Sequence, residues 1–480
     1  MNYKVVIHTL GALWIFLAVS MLMPLGWAWY YGEGDLLAFI ITIMLTAAAG
    51  ISAWKLTPAK SEIGIRDGFA IVTFGWVSMA FFGAFPAFIS GTIPSFTDAF
   101  FESMSGFTTT GASILNDIES LPHGVLFWRS LTHWLGGMGI ILLSLAILPM
   151  LGVGGMQLFR AEVPGPVTDK LTPRIRQTAE ILWGVYLLLT VSETALLMVG
   201  GMSFFDALCH TFGTMATGGF STKNASIAAY DNPFIHWVII LFMIFAGVNF
   251  ALHFRALKGD LKVYPRDPEF RFFLTVIAGA IVLLLIFSYP GLFNGFGEQL
   301  RHTVFQVVSI MTTTGYVTHD FESWTPTGHF ILLALMFIGG MAGSTGGGMK
   351  TMRIFIIIKQ ARMELRQIIH PRGVFPVRLG KRVISDEVVK NIFGFFLLYA
   401  LFFILGAVVM TFFKLDLVSA IAASAACLNN IGPGLGAVGP TDNYYLIPAL
   451  GKWVLCGLML LGRLEVYTVV ILFSRFYWKR

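Results

Sequence analysis

The chain has 480 residues, of which 56% are hydrophobic and only 12% charged, and its mean hydropathy is +0.76. These values exclude a soluble globular protein and are typical of a polytopic helical membrane protein. The formal net charge of +6 does not indicate a nucleic-acid partner, because lysine and arginine cluster in loops between apolar spans, where they set membrane orientation. Cys209, Cys427 and Cys456 lie in apolar segments without metal-ligand spacing, so we interpret them as small buried hydrophobes.

Two apolar spans begin the chain, near Val5 to Trp29 and Leu36 to Trp54. Each is close to the roughly 20 residues that a helix needs to cross the hydrocarbon. The first is long enough to span, and no small-residue cleavage site stands clear after it, so no cleaved signal peptide is predicted. Lys55, Lys60 and Arg66 follow the second span and mark the cytoplasmic side.

From there one pattern recurs four times: an outer helix, a short half-helix, a glycine loop and an inner helix. The outer helices are predicted near Phe69–Ser90, Ala179–Val199, Phe272–Tyr289 and Val389–Phe413. The half-helices are predicted near Ser95–Phe107, Phe204–Met215, Glu298–Met311 and Asp416–Leu428. The inner helices are predicted near Phe127–Leu151, Phe234–Leu257, Phe330–Gln360 and Leu446–Phe476. Because the half-helices are too short to cross, the pattern predicts ten full spans and four re-entrant segments.

This pattern divides the chain into two extra N-terminal helices and four repeats. The N-terminal pair occupies residues 1–66, and repeats 1 to 4 occupy residues 67–177, 178–268, 269–385 and 386–480.

The glycine loops share a core, which repeats at a spacing of roughly a hundred residues. The core residues are Thr109, Thr110 and Gly111; Ala216, Thr217 and Gly218; Thr313, Thr314 and Gly315; and Asn430, Ile431 and Gly432. Irregular backbone at this depth is tolerated only where it is buried in protein or lines a wet cavity. Glycine lets carbonyls point to a common axis, and a ring of carbonyls replaces the water shell of a monovalent cation. The carboxyl end of each half-helix also favours a cation, so the loops predict one cation pore.

Loop charge predicts the orientation in the membrane. Basic residues follow the first three repeats: Arg160, Lys170, Arg174 and Arg176; Arg255, Lys258, Lys262, Arg266 and Arg271; and a run from Arg353 to Arg382. The loops on the other side carry Asp117, Glu119, Asp231, Asp320, Glu322 and Asp442. By the positive-inside bias the basic loops and both termini are cytoplasmic, and the acidic rim faces out, where it concentrates cations.

The whole chain resembles the Trk/Ktr/HKT superfamily of potassium transporters, and specifically its bacterial Trk type, which has two extra N-terminal helices. One Thr-Thr-Gly is uninformative, but Thr-Thr-Gly, Ala-Thr-Gly, Thr-Thr-Gly and Asn-Ile-Gly at matching places in four repeats are a specific signal. The resemblance implies an all-α membrane fold, four helix-loop-helix repeats around a pseudo-fourfold pore, and potassium uptake across the bacterial inner membrane with K⁺ bound in the four loops.

The resemblance also implies partners. These are a second copy of the chain in a homodimer and a cytoplasmic ring of TrkA-like (RCK) nucleotide-binding subunits that regulates opening. Any nucleotide then belongs to the partner, and no covalent cofactor is expected. In some relatives a serine in the first loop accompanies sodium transport, whereas each loop here has glycine. The fourth loop departs most from Thr-Gly, so the pore need not be as selective as a true potassium channel.

A glycine-rich run interrupts the predicted third inner helix. It contains Gly343, Ser344, Thr345, Gly346, Gly347, Gly348 and Lys350. Glycine costs roughly 1 kcal/mol per residue relative to alanine in a helix interior, so the helix is predicted to be broken mid-membrane. The resemblance implies that this is the intramembrane loop that blocks the pore below the filter and moves to let ions pass. The alternative is a helix-packing surface, but packing needs small residues at intervals and not in a run.

Arg463 lies deep in the predicted fourth inner helix, where a buried arginine needs a partner or a watery cavity. The resemblance implies that it faces the intramembrane loop and acts as an electrostatic barrier or latch, and Lys350 is a second candidate for that role. The alternative is a local pair with Glu465 or a side chain that snorkels to the interface.

Three other functions stay open as alternatives. A sodium-conducting or poorly selective relative is opposed by the four glycines. An intramembrane enzyme using Glu193, His133, His210 and His302 would need a cluster such as His-Glu-x-x-His, which the sequence lacks. We expect those four side chains to make local hydrogen bonds, because no two share a helical face at the spacing of a proton relay. A structural scaffold would not require four broken turns.

Overall fold

A computed structural model describes residues 1–58, 64–146, 171–287, 292–380 and 382–479. Within these ranges the chain is mostly helical, with one short β-hairpin. Lys60, Arg160 and Lys170, and the predicted helix ends at Leu151 and Tyr289, lie outside the described residues.

The two N-terminal spans pack closely at two glycines. The first span comprises α1 (Tyr3–Ser20) and α2 (Leu22–Tyr31), and the second is α3 (Leu36–Leu56). A Cβ placed on Gly11 of α1 would lie less than 3.0 Å from the backbone of α3, and one on Gly50 of α3 would come equally close to α1. The two glycines therefore permit the close backbone approach that small residues allow between membrane helices.

The four repeats follow in chain order. Repeat 1 contains α4 (Ile65–Gly83), α5 (Phe85–Ile89), α6 (Phe96–Phe107) and α7 (His123–Ala146). Repeat 2 contains α8 (Leu171–Val199), α9 (Phe204–Met215), α10 (Pro233–Gly247), α11 (Phe250–Leu257) and α12 (Val263–Arg266). Repeat 3 contains α13 (Pro268–Phe287), α14 (Phe296–Met311), α15 (Pro326–Met336), α16 (Thr351–Ile369) and the antiparallel strands β1 (Arg378–Leu379) and β2 (Arg382–Val383). Repeat 4 contains α17 (Asp386–Phe412), α18 (Leu417–Leu428), α19 (Ala449–Arg463), α20 (Tyr467–Val470) and α21 (Arg475–Trp478). The structure does not test the predicted repeat boundaries.

The predicted half-helices are confirmed as α6, α9, α14 and α18, which have 12, 12, 16 and 12 residues. Serine caps the first two, since the side chains of Ser95 and Ser203 accept hydrogen bonds from backbone amides, and Asp416 caps the fourth. The last seven residues of every half-helix are buried: residues 101–107, 209–215, 305–311 and 422–428. The core of the molecule thus surrounds the carboxyl ends of the half-helices.

Among the described residues three inner helices are broken, although the sequence predicted a break only in the third. In repeat 2 the chain bends by 105° between α10 and α11, where the Asn249 side chain caps the new helix by accepting from the Ala251 amide at 2.9 Å. In repeat 4 it bends by 112° after α19, where Glu465 and Val466 adopt positive φ. The prediction of continuous helices over Phe234–Leu257 and Leu446–Phe476 was therefore wrong.

Six helices among the described residues are long and apolar enough to cross a membrane, or eight if each of the two bent pairs is one span. Helix α7 and the interrupted inner helix of repeat 3 are not among them. Together with the composition, these spans define a multi-pass membrane protein.

Candidate functional site

The four half-helices end in the same backbone arrangement. The second residue beyond each half-helix has positive φ: Thr109 (49°), Thr217 (54°), Thr313 (62°) and Asn430 (54°). The next amide donates to the carbonyl five residues back, at 2.8–2.9 Å, in the pairs Thr110–Ser105, Gly218–Gly213, Thr314–Ser309 and Ile431–Ala426. This is a Schellman helix end. Because a threonine with positive φ costs about 1–3 kcal/mol, it persists only where the surrounding structure fixes it.

A glycine with positive φ then follows in every repeat: Gly111 (78°), Gly219 (79°), Gly315 (81°) and Gly432 (94°). The sequence predicted Gly218 for repeat 2, and this prediction was wrong by one residue. Ala216 is the C-cap of α9, so the loop core is Thr217, Gly218 and Gly219. Two adjacent glycines satisfy the motif equally well, and only the end of the half-helix decides between them.

The four loops close into a ring. A Cβ placed on any of the four positive-φ glycines would lie less than 3.0 Å from a carbonyl oxygen of another loop, closer than real Cβ atoms come. The pairs are Gly111 with Gly218, Gly219 with Thr314, Gly315 with Ile431, and Gly432 with Thr110. Each repeat thus contacts the next and the fourth contacts the first, so the loops surround one axis.

The outer segments of the loops repeat this cyclic order. Backbone amides link neighbouring repeats through the hydrogen bonds Ile118 to Asn224 Oδ1 (2.7 Å), Ala228 to the Val317 carbonyl (3.0 Å), Gly436 to Glu322, and Tyr444 to the Ser113 carbonyl (2.8 Å). All four positive-φ glycines line one open cavity of about 150 Å³. The glycine ends of the loops therefore face the mouth of the axis.

In the predicted acidic rim, one carboxylate makes a hydrogen bond within the protein, and basic side chains lie beside another. Asn224 donates to Asp117 at 3.3 Å, and this hydrogen bond lowers the pKa of the Asp117 carboxyl below its usual range. Asp442 lines the mouth cavity, but so do Lys223 and Arg129. The mouth therefore carries charges of both signs.

A buried ion pair supports the first two loops, and its arginine, Arg129, was not predicted from the sequence. Arg129 of α7 lies 2.8 Å from Glu102 of α6, and the two side chains are 5% and 4% exposed. Glu102 also accepts hydrogen bonds from Ser113 Oγ and the Ile114 amide, each at 3.0 Å. Arg129 donates to the Ser221 carbonyl at 3.3 Å. The pair thus joins the segments that follow loops 1 and 2.

We expect Glu102→Gln to be strongly destabilising, because it leaves the Arg129 charge buried without its counter-charge, at a cost of about 3–5 kcal/mol. Thermal unfolding of the purified protein in detergent measures this. Asp260→Asn is the matched control, since its partner Arg255 lies 3.4 Å away in an exposed pair, which contributes about 0–1 kcal/mol. Equal shifts of the two melting temperatures would show that the buried pair has no special role.

The glycine-rich run breaks the third inner helix, as predicted, and residues 337–350 between α15 and α16 form the intramembrane loop. The Gly347 amide donates to Thr313 Oγ1 at 2.6 Å, and a Cβ on Gly347 would lie less than 3.0 Å from the Asn429 carbonyl oxygen. Thr345 Oγ1 donates to the Met215 carbonyl at 3.0 Å. The intramembrane loop thus contacts the half-helix ends of glycine loops 2, 3 and 4, opposite their glycine ends at the mouth.

Arg463 faces the intramembrane loop. Its guanidinium donates to the Thr345 carbonyl at 2.8 Å and to the Gly136 carbonyl of α7 at 3.0 Å, and the residue is 2% exposed. The alternative of a local pair with Glu465 is wrong, because Glu465 pairs with Arg353. Lys350, also buried, donates to the Gly346 carbonyl within the loop.

Of the four remaining polar candidates, His210 and His302 have hydrogen-bond partners, whereas Glu193 has none among the described residues. His210 hydrogen-bonds the Asp206 carbonyl at 2.7 Å and Ser221 Oγ at 2.9 Å, and His302 hydrogen-bonds Thr318 Oγ1 at 2.9 Å, as expected for local partners. Glu193 differs, since both of its carboxyl oxygens are buried without a hydrogen-bond partner among the described residues. His133 stacks on Phe220 with ring centroids 4.1 Å apart.

The ring of re-entrant loops within a multi-pass helical bundle defines a class of membrane protein, one with four pore-type repeats around a single axis. The family model TrkH, described as cation transport protein, matches residues 36–480. The chain belongs to this family.

The relatives agree with this assignment. The chain is 43% identical to the Trk system potassium uptake protein TrkH of Salmonella typhimurium and to that of Escherichia coli, over the full length of both chains in each case. It is 37% identical to the Trk system potassium uptake protein TrkG of Escherichia coli, covering 100% of this chain and 99% of TrkG. The crystal structure of the potassium transporter TrkH from Vibrio parahaemolyticus matches with a TM-score of 0.92 and 37% identity over all of both chains. These matches confirm the predicted resemblance and all-α fold, and the relatives are named as transport proteins and not as enzymes.

Proposed function

We propose that this protein takes up potassium through a central pore in which the four glycine loops form the selectivity filter. The cyclic contact of each loop glycine with a carbonyl of the next loop carries this proposal. Carbonyls of Thr110, Gly218, Thr314 and Ile431 then lie around one axis, where they replace the hydration shell of a K⁺ ion. The choice of potassium is supported by the relatives, which are named potassium uptake proteins.

The driving force is the membrane potential. One charge moving through 100 mV releases about 2.3 kcal/mol. The partial negative charges at the carboxyl ends of the four half-helices favour the cation at the ring. Charge distribution supports an orientation in the bacterial inner membrane with both termini and the basic loops in the cytoplasm.

The intramembrane loop, residues 337–350, is the gate of this pore. Its contacts with Thr313, Asn429 and Met215 put it across the half-helix side of the ring, so an ion that leaves the filter meets it. Arg463 acts as latch and barrier, because it binds the loop and adds a positive charge near the ion path. Lys350 adds a second positive charge within the loop.

Regulation reaches the gate through α16, which begins at Thr351 directly after the loop. At its far end Leu365, Ile368 and Ile369 are 64%, 74% and 71% exposed. Such apolar exposure favours a protein partner, and the family resemblance favours a cytoplasmic TrkA-like nucleotide-binding ring, with the transporter itself a homodimer. The nucleotide is then bound by that partner.

Uptake of rubidium and sodium into liposomes holding the purified protein tests the proposal. Rubidium serves as the potassium substitute, and we expect its influx to exceed sodium influx under an inside-negative potential. Equal influx of both ions would favour the second candidate, a poorly selective cation transporter. The observation in favour of that candidate is loop 4, where Asn430 and Ile431 replace threonine and Asn430 Nδ2 donates to Thr110 Oγ1 at 2.9 Å.

The corrected register of loop 2 gives a separate prediction. Gly219→Ala should lower selectivity for rubidium over sodium, because its Cβ would collide with the Thr314 carbonyl of the ring. The Cβ in Gly218→Ala would instead collide with the imidazole of His133. Adding His133→Ala removes this collision and should restore the selectivity of the Gly218→Ala variant. Influx ratios of the two single variants and the double variant measure this. Normal selectivity of Gly219→Ala, with a loss in Gly218→Ala that His133→Ala does not restore, would contradict the register.

A further inference from the structure

Glu269 is a buried acid that the function described so far does not use. It lies in the first turn of α13 and is 3% exposed. Its Oε1 accepts a hydrogen bond from the Ala342 amide of the intramembrane loop at 2.8 Å. One side chain of the outer helix thus binds the intramembrane loop.

This contact lies at the base of the loop. There the Thr351 amide donates to the Gly340 carbonyl at 3.0 Å, and Thr351 Oγ1 donates to the Gly339 carbonyl at 2.9 Å. Further in, the loop is mostly glycine and offers few side chains of its own to fix its position. Groups outside the loop therefore add to the few contacts that Thr345 and the loop backbone make.

A carboxyl group suits this place, because its oxygen accepts the Ala342 amide whether the group is ionised or not. Movement of the loop away from α13 would break this buried hydrogen bond.

We propose that Glu269 is a positioning residue that holds the intramembrane loop in its blocking position from the side of the outer helix. The inference rests on the proposed function of this loop as the gate. Arg463 holds the tip of the loop at Thr345, whereas Glu269 holds its base. Release of either contact favours the open pore.

The test is rubidium influx into liposomes that contain the full-length protein alone. In Glu269→Gln the side chain can present its NH₂ group in place of an oxygen to the Ala342 amide, which weakens this hydrogen bond, so we expect influx to rise by up to roughly ten-fold, the effect of about one lost hydrogen bond. The rubidium-to-sodium ratio should not change, because the filter ring is untouched. Glu387→Gln is the matched control, since Glu387 occupies the first turn of the outer helix of repeat 4 but is exposed, and its influx should equal that of the wild type.

Glu269→Asp serves as the second variant and decides the question if Glu269→Gln does not fold. It keeps the carboxyl group but is one methylene too short to reach the Ala342 amide, so influx should rise above that of the wild type. Unchanged or lower influx in a folded, monodisperse variant would overturn the proposal, and so would a changed ion ratio. Arg463→Ala distinguishes failure of this inference from failure of the proposed gate. If Arg463→Ala raises influx and Glu269→Gln does not, only the role of Glu269 is wrong. If neither variant raises influx, the loop is not the gate.

Discussion

Gly315→Ser is expected to lower selectivity for potassium over sodium by roughly ten-fold or more. Gly315 has a φ of 81°, and its Cβ would lie less than 3.0 Å from the Ile431 carbonyl oxygen. A serine therefore has to push that carbonyl away from its place in the ring. A change of about 1.4 kcal/mol in the relative binding of two ions is a factor of ten. We expect the displacement of one ring carbonyl to change the relative binding of K⁺ and Na⁺ by at least this amount.

The ratio of rubidium to sodium influx into liposomes measures this effect. Gly111→Ser should act in the same way, since its Cβ would meet the Gly218 carbonyl. Gly279→Ser is the control, because Gly279 lies in the outer helix of the same repeat as Gly315 and has open space around its Cβ position. Unchanged ratios in both loop variants would remove these loops from the filter.

Arg463→Ala is expected to raise ion influx about ten-fold or more in the absence of any cytoplasmic partner. The substitution removes hydrogen bonds to Thr345 of the intramembrane loop and to Gly136 of α7. It also removes a buried positive charge close to the ion path, and a charge in that position opposes a cation. Deletion of Gly346–Gly348 from the loop should change influx in the same direction.

Arg463→Lys separates the two contributions. Lysine keeps the charge but lacks the planar fork of donors that bridges two carbonyls, so a smaller rise than in Arg463→Ala would assign part of the effect to the latch and part to the charge. Influx that stays flat or falls in Arg463→Ala, in protein that remains folded, would count against the gate assignment.

Local patterns predicted much of the fold. The half-helices are short segments followed by Thr-Gly in repeats 1 to 3 and by Asn-Ile-Gly in repeat 4, and the third inner helix contains a run of glycine that disfavours a helix, so both features could be read from neighbouring residues. The breaks after Gly247 and Arg463 could not be predicted in this way. The first depends on one capping side chain, Asn249, and the second on backbone at Glu465 and Val466 that packing holds at positive φ.

The contacts that hold the loops in place could not be predicted from the sequence, because they join residues far apart in the chain. Glu102 and Arg129 are 27 residues apart, and Glu269 and Ala342 are 73 residues apart. An acid in the charged segment at the start of an apolar span was the available signal for Glu269, but only the packing of the repeats identifies what it binds. The choice between Gly218 and Gly219 in loop 2 also could not be made from the sequence, because it depends on the residue at which α9 ends.

The position of a bound ion tests the central claim most directly. We expect anomalous X-ray scattering from crystals grown in rubidium to show density on the axis enclosed by the carbonyls of Thr110, Gly218, Thr314 and Ile431. The same density should be weaker in Gly315→Ser. Rubidium bound away from this axis, with nothing between the four loops, would contradict the account.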